Sequence, residues 1–406
     1  MTKVSKLLFV HDHVFISKSD HEIYSSGCFP ADVWDRYLRV FDQVEVLARN
    51  KTDAEASQKL TPTMREHVSF AFAEDASNLR SVFGLNRPLN EFIRQQVAGA
   101  DAVIARLSSE LGLLAIAEAR RQGKPYAVEV VDCAFDSYWN YGSLKARLYA
   151  PFIYHRVRNA VKQAAFVLYV TEDFLQRRYP NRHGKLVACS NVNIPTPEPE
   201  VLSARIERIR TKGTATKPVK VGQIASLTGT FKGIHTAIEA LALANKQGGN
   251  FEYHVLGAGD KAPHVEIARK FGVEDKVHFD GVLASGEEVY RWLDGLDLYI
   301  HPSFKEGLPR AVIEAMSRGC PVIASSVAGT PELLPPEWLI APGDSGALAT
   351  KLRAMTTAGE VQLADIAEGN FNVASRYSRD ELNRRRSNFW LSFKQYAGKV
   401  TEKVQQ

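Results

Sequence analysis

The sequence predicts an α/β protein made of two doubly wound, Rossmann-like domains facing a central cleft, on three observations. At 406 residues the chain exceeds what one hydrophobic core supports. Short β-branched or aliphatic runs alternate with helical stretches, the pattern of parallel βαβ units. That alternation stops once, at Asn193-Ile-Pro-Thr-Pro-Glu-Pro-Glu200, and then begins again.

In the first half the expected strands are Leu7–Val10, Val44–Leu47, Ala102–Ala105, Tyr126–Val131, Phe166–Val170 and Leu186–Ala188. Helical stretches lie between them at Pro88–Val97, Ser108–Gln122 and Leu144–Gln163. Prolines 195, 197 and 199 fit neither a helix nor a central strand, so they read as a stiff, extended hinge, with a charged helix at Val201–Thr211 after it. The second series of strands is Val219–Ile224, Glu252–Leu256, Val277–Phe279, Leu298–His301 and Val322–Ser325. The expected boundaries are a first domain over 1–193, a linker over 194–216 and a second domain over 217–378. A closing helix over 379–406 carries Phe389, Trp390, Leu391 and Phe393, and this aromatic face is expected to pack back toward the first domain. In such folds ligands bind outside the carboxyl ends of the strands.

Composition excludes several classes. With 45% hydrophobic and 24% charged residues, the chain is neither collagenous nor disordered. Cys28, Cys133, Cys189 and Cys320 are scattered without a C-x-x-C pair, which reads as free thiols in a reducing cytoplasm. Leu7–Val10 is too short for a signal-peptide core, and the longest apolar stretch, Ala164–Val170, is far below the ~20 residues of a membrane span. A net charge of +5 does not imply nucleic acid. Its distribution is more telling: from Ser137 to Thr171 there is no Asp or Glu, while Lys145, Arg147, Arg156, Arg158 and Lys162 alternate with aromatic residues. Residues 137–171 therefore suit an anionic membrane surface, or equally a solvated basic helix face with its rings in the core. Pro151 breaks any simple amphipathic count.

The strongest signal is Ser303-Phe-Lys-Glu306-Gly307-Leu308-Pro309-Arg310-Ala-Val-Ile-Glu314-Ala315-Met316, followed by Gly319-Cys-Pro321-Val-Ile-Ala-Ser325. Glu306-Gly307 reads as a tight turn after a strand, and Pro309 as a first-turn residue of a helix. Amides at that helix start suit an anionic or oxygen-rich ligand. Two glutamates eight apart occur by chance in most chains of this size; the frame around this pair does not.

That frame resembles the E-x7-E signature of the retaining GT4 glycosyltransferases, which have the GT-B fold. The resemblance continues in order through His254-Val-Leu-Gly257-Ala-Gly259, Val277-His-Phe-Asp-Gly281, Asp297–Ser303 and Gly329-Thr-Pro-Glu332, covering Val219 to Leu352. It implies that Glu314 holds the ribose of a nucleotide-diphosphate sugar. Glu306 would lie against the transferred sugar beside Gly307 and Leu308, and Gly281, Val282 and Leu283 would hold the base. Lys232, in Phe231-Lys232-Gly233, matches the lysine that neutralises the departing diphosphate. The plainer readings are a solvated Lys232 opening a helix and a Glu314 paired with a basic neighbour. The family's second phosphate clamp, an arginine, is replaced by Gln223, which can donate a hydrogen bond but carries no charge. Arg310 either substitutes for it or faces solvent.

The first domain is the expected acceptor-binding side, and its resemblance is loose. Asp132 either accepts a hydrogen bond from a substrate hydroxyl or caps the next segment. His13 follows the first strand in His11-Asp12-His13, and Gly27 offers a close backbone approach or a plain turn.

The reaction these residues imply is retaining glycosyl transfer, with Glu306, Lys232 and Asp132 as the expected catalytic groups and no metal or other cofactor. The expected acceptor is a glycan, lipid-linked, in surface polysaccharide synthesis. The expected location is cytoplasmic, peripheral on the inner face of the cell membrane. Rivals are a nucleotide-sugar 2-epimerase of the same fold and a binding subunit without turnover. A dinucleotide oxidoreductase is disfavoured, because Gly257-x-Gly259 lacks the third glycine.

Overall fold

The computed structural model describes residues 4–19, 21–26, 29–52, 60–73, 85–140, 143–212 and 217–405. The chain divides into two units, Met1–Cys189 with Asn383–Gln406, and Ser190–Leu382.

Among its described residues the first unit carries nine strands: β1 (Lys6–Ser19), β2 (Glu22–Ser25), β3 (Gln43–Lys51), β4 (Thr61–Pro62), β5 (Val68–Phe72), β6 (Ala102–Leu107), β7 (Tyr126–Val130), β8 (Phe166–Tyr169) and β9 (Lys185–Ala188). The parallel part runs β5-β3-β1-β6-β7-β8-β9. Its central strands are nearly continuous Val, Ile, Leu and Ala because both faces are covered. β1 is much longer than its apolar run. Past Val10 the register shifts, His11-Asp12-His13 continue the strand, and Ile16–Ser19 pair antiparallel with β2. The short elements β2, β4 and β5 had no distinct signal in the sequence reading. Leu144–Gln163 is one helix despite Pro151, which lies exposed inside it.

Among its described residues the second unit has six parallel strands: β10 (Val219–Ile224), β11 (Phe251–Leu256), β12 (Val277–Gly281), β13 (Leu298–His301), β14 (Val322–Ser325) and β15 (Leu339–Ile340). Their order is β12-β11-β10-β13-β14-β15. This is the doubly wound arrangement whose direction reverses between β10 and β13, and the crevice at their carboxyl ends is where such sheets take ligands. Phe251, Tyr253 and Val255 send their side chains into the core shared with helix Ile234–Lys246.

Of the 194–216 segment, the part from Ile194 to Lys212 is fastened to the second unit. Ile194 is fully buried and bridges Ser378. Arg205, on helix Pro199–Lys212, is buried and donates to the carbonyls of Leu293, Leu296 and Arg318. The last helix, Arg379–Gln405, sets Trp390 against Tyr37 and Phe393 against Phe41 and Phe166. Cys133, Cys189 and Cys320 are buried, and Cys28 lies outside the described residues. Among the described residues no helix is long and apolar enough to cross a membrane.

Candidate active site in the second unit

The crevice between β10 and β13 is built by the two loops that leave those strands. After β10 the chain reaches Phe231-Lys232-Gly233 and enters helix Ile234–Lys246. Gly233 is required there: its φ is +69°, and an added Cβ would stand 1.9 Å from the Pro302 carbonyl oxygen. That close approach brings the second loop against the first. Phe304 N–H and the Ser303 hydroxyl both donate to the Phe231 carbonyl, at 2.8 and 3.0 Å.

The loops converge on Glu306. Lys232 Nζ donates to Glu306 Oε1 at 2.7 Å, and His301 Nε2 donates to the same oxygen at 2.7 Å. Burial alone would raise this carboxyl, but the charge attraction and hydrogen bonds of His301 and then Lys232 overrule it and hold the group well below the usual carboxylate range. Oε2 takes no hydrogen bond among the described residues and is not sealed from solvent. His301, only 2% exposed and last in β13, was missed by the sequence reading. Its only signal was its place at a strand end beside the switch point.

Gln223 is fully buried, and its side chain is occupied at both ends. Nε2 donates to the Lys232 carbonyl at 2.7 Å, while Oε1 accepts from the Tyr253 hydroxyl. The side chain expected among the ligand contacts therefore braces the Lys232 loop from beneath.

Helix Arg310–Ser317 begins one residue later than expected, with Pro309 as its N-cap. Glu314 lies inside it, half-buried, and no hydrogen bond to its carboxylate forms among the described residues. Burial raises its pKa, against a smaller pull from Arg310. Arg310 itself is exposed. Gly307 accepts from Gly329 N–H at 2.9 Å, and Leu308 is buried beside it. Beyond β12, Gly281 takes φ +75° with open space around it, Val282 is 48% exposed and Leu283 is half-buried. The rim at the carboxyl ends of β10 and β13 thus joins a cation to a carboxylate with a free oxygen, while Glu314 lies on the helix that follows β13 and the open Gly281 turn follows β12, two strands from β10. Such a rim can stabilise developing negative charge and accept from polyhydroxylated ligands.

The residues expected in the first unit are more committed. Asp132 Oδ1 accepts from the backbone N–H and hydroxyl of Ser108, and Oδ2 accepts from the Ser137 hydroxyl at 2.8 Å. This clasps the loops after β6 and β7. His13 Nε2 lies 2.9 Å from the Ser25 hydroxyl, with its ring on Phe15 and Phe29. Burial first, then Arg106 and Arg49, lower its pKa to about 4. Asp12, between the two histidines, accepts from the backbone N–H of Glu110 and Leu111, capping helix Glu110–Arg121. Gly27 lies outside the described residues.

In the acid-free stretch the acidic partner comes from elsewhere. Buried Glu110 pairs with Arg156 at 2.6 Å and accepts from the Tyr149 hydroxyl. The same helix exposes Leu144, Leu148 and Phe152 at 73, 74 and 40%, the Phe152 ring lying beside Tyr149 and under the Arg156 guanidinium, with Lys145, Arg147, Arg158 and Lys162 exposed along it.

Residues 218–357 match the family described as glycosyl transferases group 1. The chain is 29% identical over 389 residues to protein CapJ of Staphylococcus aureus, covering 96% of both chains. It is 34% identical over 187 residues to the amylovoran biosynthesis glycosyltransferase AmsK of Erwinia amylovora, 41% of this chain and 45% of that one. Among solved structures, Anabaena HepE in complex with UDP matches in fold with a TM-score of 0.66 at 18% identity, covering 96% of this chain and 100% of HepE.

Proposed function

We propose that this chain, which belongs to the group 1 (GT4) glycosyltransferases and has the GT-B fold, transfers a sugar with retention from a nucleotide-diphosphate donor to a hydroxyl of a lipid-linked glycan. The observation that carries the reading is the Lys232–Glu306 pair at the reversal point of the second sheet. Lys232 is placed to meet the departing diphosphate, whose bond to the sugar breaks as negative charge builds on oxygen. The free Oε2 of Glu306 accepts from a hydroxyl of the transferred sugar. Glu314 accepts from the ribose hydroxyls, which supply the hydrogen bonds its half-buried carboxylate lacks. The Gly281–Leu283 turn holds the base edge. Arg310, exposed at the start of the Glu314 helix, is within reach of the phosphates.

Retention follows from a front-face step. The acceptor oxygen attacks on the side the diphosphate leaves, and the diphosphate oxygen takes the acceptor's proton, so no enzymic nucleophile is required. The first unit handles the acceptor. The stripe of Leu144, Leu148 and Phe152 with its flanking Lys and Arg supports a peripheral site on an anionic membrane surface. The name of AmsK supports a product in surface polysaccharide assembly. HepE, solved with UDP and with UDP-glucose, makes uridine donors the first to test.

A thermal-shift series of nucleoside diphosphates and their sugars tests the donor, since a ligand of the native state raises Tm. A product whose anomeric configuration is inverted would overturn retention. Liposomes of anionic lipid test the surface: wild type binds and Leu148→Glu does not. Equal binding by both would remove the membrane reading.

A further inference from the structure

Away from the β10–β13 crevice, the edge of the second sheet gathers three metal-ligating side chains on one face. Strand alternation turns Phe251, Tyr253 and Val255 into the core, so Glu252 and His254 share the other face of β11. On the edge strand β12, His278 stands directly opposite His254 in the parallel register. The two rings stack with centroids 4.7 Å apart, and one ligand atom from each of Glu252, His254 and His278 lies within 4.8 Å of the others. We propose that these three residues bind one first-row divalent cation, with Zn2+ as the best-fitting ion.

The surroundings of His254 fit that of a metal ligand. Its Nδ1 lies 3.2 Å from Asp280 Oδ2, which also accepts from Trp292 Nε1 at 2.7 Å. A proton held on Nδ1 by that carboxylate leaves the lone pair on Nε2, and Nε2 is sealed from solvent without a partner. A carboxylate behind a histidine in this way fixes the ring and raises its basicity toward a metal. Two imidazoles and one carboxylate, with a fourth position left for water, are a set that Zn2+ accepts. Zinc bonds of about 2.0–2.1 Å require ligand atoms ~3.3 Å apart, a contraction that side-chain torsions can supply. The competing cations are Lys276, at a loose 3.9 Å from Glu252, and Lys220, beside Glu252 on β10. Because β12 ends at Gly281, the ion pins the strand from which the Gly281–Leu283 turn emerges. Its role is structural, and no step of the transfer is assigned to it.

The test is titration of the full chain, stripped of metal by a chelator, with Co2+ followed by visible absorption and then with Zn2+ in competition. The expected result is one equivalent with the intense visible bands of four-coordinate cobalt, displaced by Zn2+. His254→Asn and His278→Asn should each weaken binding more than tenfold. Asp280→Asn, which keeps all three ligands, should weaken it by about 10–100-fold. Metal-free melting curves check that each variant folds, and Glu252→Gln gives a third reading if a histidine variant does not. Binding of less than one equivalent by wild type, or variants that bind as wild type does, would overturn the proposal.

Discussion

Lys232 Nζ and Glu306 Oε1 lie 2.7 Å apart although 74 residues separate them in the chain. The pair exists because β10 and β13 are neighbours in space, and the loops leaving them are stitched together through the Phe231 carbonyl. In the protein without substrate, each charge is the other's counter-ion. In the proposed transfer, Lys232 would turn part of its charge toward the departing diphosphate, so this one contact would link the resting state to the chemistry.

Replacing Lys232 by Met should lower kcat by about 10²–10³-fold, the usual cost of removing a preorganised donor from developing negative charge. The same change takes away one of the two groups that hold the Glu306 carboxyl low. Its pKa should rise, and the acid limb of the pH–rate profile should move to higher pH than in wild type. Steady-state rates across pH measure both effects. An unshifted acid limb would separate Glu306 from the rate.

Glu314→Gln tests a carboxylate with the opposite surroundings. Burial raises Glu314, and no hydrogen bond repays it among the described residues. Removing its charge should therefore leave the melting temperature of the free protein unchanged or higher at neutral pH. The Tm rise on adding nucleotide should shrink, with affinity down by about tenfold or more for two lost charge-assisted hydrogen bonds. Wild-type affinity in the variant would remove Glu314 from the ribose.

Much of this second unit was legible in the sequence, because its signals are local. Parallel strands buried on both faces read as apolar runs, and Glu306, Gly307, Pro309 and Glu314 lie within one turn and one helix. What could not be read depends on which strands become neighbours. Nothing near Gln223 announces that its amide will meet Tyr253 and the Lys232 carbonyl, and nothing near Glu110 announces Arg156. In the first unit nothing near Asp12, in the His11-Asp12-His13 run, announces that it caps a helix 98 residues away. Long β1 was under-read for a similar reason: its polar second half is held by pairing with β2 and β3, not by apolar alternation.

Gln223→Leu preserves bulk and removes the brace under the Lys232 loop. The Tyr253 hydroxyl and the Lys232 carbonyl would both be left unsatisfied in a buried place, so unfolding free energy should fall by about 1–3 kcal/mol. Urea denaturation measures that loss. Because the loop carrying Lys232 would also loosen, kcat should fall more than KM rises. A variant as stable as wild type would mean that water replaces the amide.

His13 gives the first unit a predictable dependence on pH. Its folded pKa, lowered to about 4 chiefly by burial and then by Arg106 and Arg49, lies below the ordinary value of 6.5. His11 beside it is lowered in the same direction, again by burial first and then by Arg106. Between these values the unfolded chain binds protons that the folded chain refuses, so stability is full above about pH 6.5 and falls as the pH drops toward 4. From pH 6.5 to 5, His13 alone accounts for at most about 2 kcal/mol. His13→Gln keeps a polar group near the Ser25 hydroxyl while removing the titration. The melting temperature of wild type minus that of His13→Gln should therefore fall between pH 7 and pH 5, whichever protein is higher at pH 7. Parallel curves at the two pH values would show that His13 takes up its proton in the folded protein as readily as in the unfolded chain.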